Sequence, residues 1–147
     1  MRTKLTTLWV FATLNYLYCD VVTLMDPKFL KGFVAGQVGG MQVSEGFLLA
    51  AGVLVEVPMA MILLSRFLGP RSNRWANLAA GCVMTGVQLA SLVTKAPAPY
   101  YAFFSAIEIA TTATIVWLAW RTPGAALGPV QAPRELHYGD AQPAGAE

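Results

Sequence analysis

Three carboxylates, Asp20, Glu56 and Glu108, stand inside otherwise apolar runs of this 147-residue chain, with no lysine or arginine at comparable depth to neutralise them. A charged side chain near a bilayer centre costs about 2.5–3.5 kcal/mol on insertion scales, so each acid calls for a physical reason. Counted from the outer ends of their runs, Glu56 and Glu108 lie ~15 Å in, near the midplane. Asp20 and Gln88 lie shallower, ~8–9 Å deep. Residues three, four or seven apart share a helix face. On that rule Tyr16 aligns with Asp20, and Asn15 and Cys19 stand beside them. Gly52, Glu56 and Ala60 form a second line, and Gly81, Thr85, Gln88 and Lys95 a third. Tyr101, Ser105, Glu108 and Thr112 form the fourth.

One polar stripe per helix is the pattern of a bundle whose stripes face inward. It predicts an outward-facing pocket with Glu56 and Glu108 as central acids and Asp20, Gln88, Tyr16, Asn15, Tyr101 and Ser105 around the vestibule. Below it, Val10, Phe11, Ile62, Leu63, Val83, Ile115 and Val116 would form an apolar plug. Two carboxylates a few ångströms apart without a counter-ion do not both ionise, so the pair would share a proton. A bound cation, or exchange of a cation for the proton, would relieve the cost. A lone buried acid can instead donate a hydrogen bond to a neutral polar ligand. The plainer reading is that neutral acids bond to Gln88, Ser105 or Thr112 and tie helices together at ~0.6–2 kcal/mol per contact. The only histidine, His137, lies in the polar C-terminal segment, which excludes a histidine-ligated haem within the apolar runs. Cys19 and Cys82 lack CxxC spacing and read as small packing residues. No metal site and no cofactor is predicted.

Helices must carry these stripes. Hydrophobic residues make up 56% of the chain and charged ones 12%, against ~25% charged in soluble domains. A chain this short cannot bury so much apolar surface in a water-soluble core, so lipid must cover the rest. The runs 6–25, 46–68, 75–94 and 99–120 are each about 20 residues, the length that crosses a ~30 Å hydrocarbon core. Asp26-Pro27 and Gly69-Pro70 stop the first two, and Pro97 and Pro99 bracket the start of the last. Arg2 and Lys4 precede the first run in the manner of a signal peptide, but the run continues to Met25 without a small-x-small cleavage site, which predicts a retained helix. Pro58 should kink the second span beside Glu56. Cys82, Gly86 and Ala90, four apart, read as a stripe for close helix packing.

Between the first two spans, Asp26 as N-cap and Pro27 at N1 can open a short helix. Phe29, Leu30, Phe33 and Val34 then recur at helical spacing opposite Lys28 and Lys31. This predicts an amphipathic helix on the outer surface, or a lid over the bundle mouth, followed by a flexible stretch at 36–40. From Thr122 the chain is rich in Pro, Gly and Ala without apolar period, which predicts a disordered tail. The expected architecture is thus all-α: a four-helix transmembrane bundle over 1–121, a short interfacial helix, and a disordered segment over 122–147.

Four spans put both termini and the 66–74 loop on one side. That side carries Arg2, Lys4, Arg66, Arg71, Arg74, Arg121 and Arg134, whereas the other carries Lys28, Lys31 and Lys95. The positive-inside rule therefore predicts cytoplasmic termini. Trp9, Trp75, Tyr100, Tyr101, Trp117 and Trp120 fall near run ends, where amphipathic rings favour the headgroup zone. The dense basic clusters of a nucleic-acid footprint are absent.

Several strings occur together: Leu14-Asn15-Tyr16, Asp20 followed by Leu24-Met25-Asp26-Pro27, Glu45-Gly46-Phe47, Glu56-Val57-Pro58-Met59, Leu64-Ser65-Arg66, Asn73-Arg74-Trp75-Ala76-Asn77, and Glu108. Over about residues 5–120 they resemble a family of small four-helix bacterial membrane proteins catalogued as a domain of unknown function. The resemblance implies a bacterial inner-membrane protein and supplies no activity. Glu108-Ile109-Ala110-Thr111-Thr112 is also similar to the acid-containing helix of small multidrug-resistance transporters, where the acid lies on the first helix rather than the fourth. The functional expectation is binding or transport of a small, cationic or proton-coupled molecule. The alternatives are a membrane enzyme acting on a lipid-like substrate and a structural or accessory subunit. Four helices are few for an alternating-access machine, so the transporter reading carries an expectation of homodimerisation.

Overall fold

The computed structural model describes residues 2–38, 40–94 and 97–121; the expected tail from Thr122 and the interfacial Lys95 lie outside them. Five helices run along the chain: α1 (Arg2–Met25), α2 (Pro27–Val34), α3 (Glu45–Phe67), α4 (Pro70–Thr94) and α5 (Pro99–Arg121). Four of them, all but α2, are long and apolar enough to cross a membrane. The bundle is cyclic. α1 packs on α3 and α5, α4 packs on α5 and on α3, and α3 and α5 are diagonal rather than adjacent. The α4–α5 interface is the most extensive and the α3–α4 interface the smallest of the four.

Local chemistry explains the breaks. Asp26 caps α2 through its side chain, which accepts from Lys28 N at 2.9 Å, and Pro27 sits in the first turn, as the sequence predicts. Ser44 caps α3 by accepting from Phe47 N at 3.2 Å. α4 and α5 each start on a proline, which loses no hydrogen bond at a helix N-terminus. In the stretch expected to be flexible, Gln37–Val38 pair antiparallel with Met41–Gln42. Gly36 leads into the hairpin at φ +75° and Gly40 lies in its turn at φ +89°, a region open to glycine at little cost.

The interior is unusual for a helical bundle. Leu5, Trp9, Ala12, Met61, Ala80, Met84 and Ile115 form its apolar core. Among the described residues, eight polar side chains are buried with them: Ser65, Asn73, Asn77, Gln88, Ser105, Glu108, Thr111 and Thr112. Large apolar side chains such as Leu17, Leu49, Leu63 and Phe103 face outward. Lipid is as apolar as leucine, so helices gain little by hiding leucine from it; they gain by close contact and by pairing polar groups.

Close contact is sharpest at Gly81, which the sequence placed on a polar stripe. A Cβ there would stand 2.6 Å from Val116 Cγ2 and 3.5 Å from the Thr112 carbonyl, so the glycine lets α4 and α5 approach. The expected packing stripe of Cys82, Gly86 and Ala90 is corrected: all three are exposed, and nothing lies within 4 Å of a Cβ at Gly86. The cysteines divide, Cys19 buried and Cys82 exposed.

Candidate functional site

Glu108 occupies the middle of α5 and is 1% exposed. It faces α1 across the bundle, where Asn15 Nδ2 donates to Glu108 Oε1 at 3.1 Å and to the Phe104 carbonyl at 3.3 Å. One amide thereby clamps two successive turns of α5 to α1. The other carboxyl oxygen, Glu108 Oε2, is buried and has no partner. Tyr16, one residue on from Asn15, lies close to Glu108 and Tyr101, and its hydroxyl is likewise buried and unpartnered. Buried polar atoms without partners are rare in native proteins, because each forfeits about 1–3 kcal/mol. Here an acceptor and a hydroxyl are left open in the same region.

α4 supplies the next layer. Gln88 Nε2 donates to Ser105 Oγ at 2.6 Å, three residues before Glu108 on the same face of α5. Thr85 donates to Thr112 Oγ1 at 2.7 Å, and Thr112 donates in turn to the Glu108 carbonyl at 2.9 Å. Glu108 is thus held at its side chain by Asn15 of α1, while its carbonyl accepts from Thr112 of the same helix, which Thr85 of α4 ties across. The described lysines and arginines all lie at or beyond helix ends, so no cation balances it. Burying an isolated carboxylate is prohibitive, so a proton or a ligand cation must accompany it. Among the described residues no group of three or more His, Cys, Asp and Glu side chains stands together in a way that could hold a metal ion.

Above these layers, at the end of the bundle that carries α2, lies a pocket of about 690 Å³. Phe29 and Gly32 of α2, Gln37 of the hairpin, Ser91 of α4, and Tyr100 and Tyr101 of α5 contribute to its wall. α2 lies on the surface with Leu30, Phe33 and Val34 exposed, as an interfacial helix would, while Phe29 and Gly32 also border the pocket. Tyr100 Oη donates to Asp26 Oδ2 at 3.2 Å, pinning the start of α2 to α5. Asp26 is held below the ordinary carboxylate range, chiefly by the backbone N–H of Lys28 and further by the Tyr100 hydroxyl. Tyr101 also faces Ser91 and Gln88, so it links the pocket floor to the layers around Glu108.

The structure therefore brings together six residues the sequence singled out: Asn15, Tyr16, Gln88, Tyr101, Ser105 and Glu108. Of the other two, Asp20 stands at the edge of this group and Glu56 outside it. Glu56 is exposed on α3, on the opposite side of that helix from the buried Pro58, and its side chain forms no hydrogen bond to the described residues. The expected Glu56–Glu108 pair is corrected, because their helices are diagonal and Glu56 points away from the bundle. Pro58, expected to kink the helix beside Glu56, packs inward on the opposite face. Asp20 is exposed at the margin of the α1 face that bears Cys19, close enough to act electrostatically on Cys19 and Glu108.

The expected apolar plug is corrected as well. Val10, Phe11, Leu63 and Val83 face outward, and of the seven only Ile115 is buried. In the plug's place lies a second polar cluster that the sequence reading missed. Trp9 Nε1 donates to Asn77 Oδ1 at 2.7 Å, and Ser65 Oγ donates to the same oxygen at 3.3 Å. Asn77 Nδ2 donates to Asn73 O and to Asn73 Oδ1, both at 2.8 Å, while Asn73 Nδ2 stays unpartnered. Trp9 is fully buried here rather than at an interface, whereas Trp75, Trp117 and Trp120 are exposed as expected. Arg74 and Arg121 stack over Trp120 and Trp117 at 5.9 and 4.8 Å. Asn73 and Asn77, four apart on one helix, were the visible signal for the cluster.

Four apolar spans around a polar axis define a small all-α integral membrane protein. The chain matches, over residues 1–125, a family described as a family of unknown function (DUF6326), and it belongs to that family. No curated protein and no solved structure matches it.

Proposed function

We propose that this protein binds a small organic cation bearing an N–H donor, taken up through the pocket beneath α2 and anchored on Glu108. The observation that carries the reading is Glu108 Oε2, a buried carboxyl oxygen with no partner and no counter-ion. An ammonium N–H would supply both the missing hydrogen bond and the missing charge, and the Tyr16 hydroxyl stands ready as a second contact. Such charge-assisted bonds are the strong ones. Binding exchanges the ligand's charge for the proton that otherwise neutralises Glu108. Affinity therefore rises with pH, by up to about tenfold per unit while that exchange is one for one. A site that trades a cation for a proton is suited to transport as well as to storage. We further infer that the protein sits in a bacterial plasma membrane with both termini in the cytoplasm. The uneven distribution of arginine and lysine supports that orientation.

The test is thermal unfolding of the detergent-purified protein with n-butylammonium, against n-butanol as the uncharged comparison. The wild type should show a saturable rise in Tm with the ammonium alone, larger at pH 8 than at pH 6. Glu108→Gln, which keeps the shape and the Asn15 contact, should show none. Equal stabilisation by n-butanol, or an unchanged response in Glu108→Gln, contradicts the reading.

A further inference from the structure

We propose that a second copy of this chain packs against the outward face of α3, pairing Glu56 with Glu56 of the partner subunit. The proposal stands apart from the Glu108 site and uses none of its residues. Glu56 has eleven residues of α3 on either side, so it sits at the middle of the span. The buried residues of α3, Pro58, Met61 and Ser65, lie on the side of the helix away from Glu56. At 100° per residue the opposite side carries Leu49, Gly52, Val53, Glu56, Ala60 and Leu63. Leu49, Val53 and Leu63 are exposed by 70%, 61% and 62%. Glu56 is thus a carboxyl at the centre of a lipid-facing apolar surface, with no side-chain hydrogen-bond partner among the described residues.

A polar group held in hydrocarbon without a partner is costly, and something must satisfy it. Lipid headgroups do not serve, because Glu56 is about 16 Å from either end of the helix. An unrelated span would need a donor and an acceptor at the same depth. A second copy brings both by symmetry: a neutral carboxyl carries one donor and one acceptor, so two related by a two-fold axis saturate each other. The neighbouring residues permit the approach. A Cβ on Gly52 would meet nothing within 4 Å, and Ala60 is small, so Gly52 and Ala60 flank Glu56 one turn to each side with little bulk. Small residues of this kind are what lets membrane helices pack backbone to backbone. α3 is also the span with the least cover from its own bundle, 11% of its central window being buried.

The experiment counts photobleaching steps of the full chain, carrying a C-terminal fluorescent protein, across a range of densities in lipid vesicles. The wild type should be dimeric at high density and dissociate on dilution. Glu56→Leu should raise the density at half-dissociation by about tenfold or more, whereas Glu56→Gln, which keeps a donor and an acceptor, should stay within about threefold. Folding is not at risk, since Glu56 is exposed and its side chain forms no hydrogen bond to the described residues, and thermal unfolding of each monomer checks it. Ala60→Cys in a Cys19→Ser, Cys82→Ser background should give an oxidatively cross-linked dimer, and Phe103→Cys on the far helix should not. A monomer at every density, a Glu56→Leu variant that associates like the wild type, or cross-linking at Phe103 in place of Ala60 overturns the proposal.

Discussion

A single amide decides how Glu108 is presented. Asn15 occupies one carboxyl oxygen and leaves the other open, so it positions the acid without completing it. Removing the amide strands Oε1 as well. Asn15→Ala should lower stability by about 1–3 kcal/mol, measured by chaotrope titration in detergent, because a buried acceptor loses its donor. Glu108→Gln can still accept from Asn15 and should cost less than that, so stability and ligand response separate at this position. Asn77 carries a comparable load at the other end, accepting from Trp9 and Ser65 and donating to Asn73. Asn77→Ala should be at least as damaging as Asn15→Ala in the same titration. If both alanine variants unfold like the wild type, the buried hydrogen bonds contribute no net stability and the polar interior needs another explanation.

At the scale of elements, helix limits were legible and helix faces were less so. Apolar length, Asp26-Pro27 and Gly69-Pro70 mark where helices stop whatever surrounds them, and α2 with its Asp26 cap forms as the residues imply. Facing is another matter, because lipid and bundle interior both accept leucine. The stripe containing Glu108 turned inward and the stripe containing Glu56 turned outward, and nothing local distinguishes them. What does is the cyclic order of helices, a property of the whole chain. Gly81 and Gly86 show the same limit: the sequence put Gly86 on a packing stripe and Gly81 on a polar one, but only Gly81 meets a neighbour. Gly81→Ala should therefore cost about 1–3 kcal/mol by forcing Val116 aside. Gly86→Ala should be neutral or stabilising by up to ~1 kcal/mol, since alanine is the better helix former. Equal effects would mean that α4 and α5 do not approach as closely as described.

α2 is the element poised to respond to pH. Asp26 in the folded protein loses its proton more readily than an ordinary carboxylate, so its contribution is present above about pH 4. It is lost as pH falls through the lowered folded value, when protonation weakens the bonds from Lys28 N and Tyr100 Oη. Hydrogen exchange at the amides of Lys28 and Leu30 should accelerate below that point in the wild type. Asp26→Asn, still a competent N-cap, should show an exchange rate without that acid step. An acid step that persists in Asp26→Asn would assign it to another group.

At the scale of the molecule, polar groups are threaded along the bundle axis while apolar bulk faces out. That is the arrangement expected where lipid rather than water surrounds the fold. Even spans put both described ends of the bundle on one side, and the arginines gather there, stacked on Trp117 and Trp120. The central claim is that Glu108 exchanges a proton for a ligand cation, and infrared difference spectroscopy reads that exchange at the carboxyl itself. Adding n-butylammonium to the wild type should bleach a protonated-carboxyl band and raise a carboxylate band. Glu56→Gln should keep the change and Glu108→Gln should lose it. No carboxyl signal in the wild type, or the same signal in Glu108→Gln, would contradict the account.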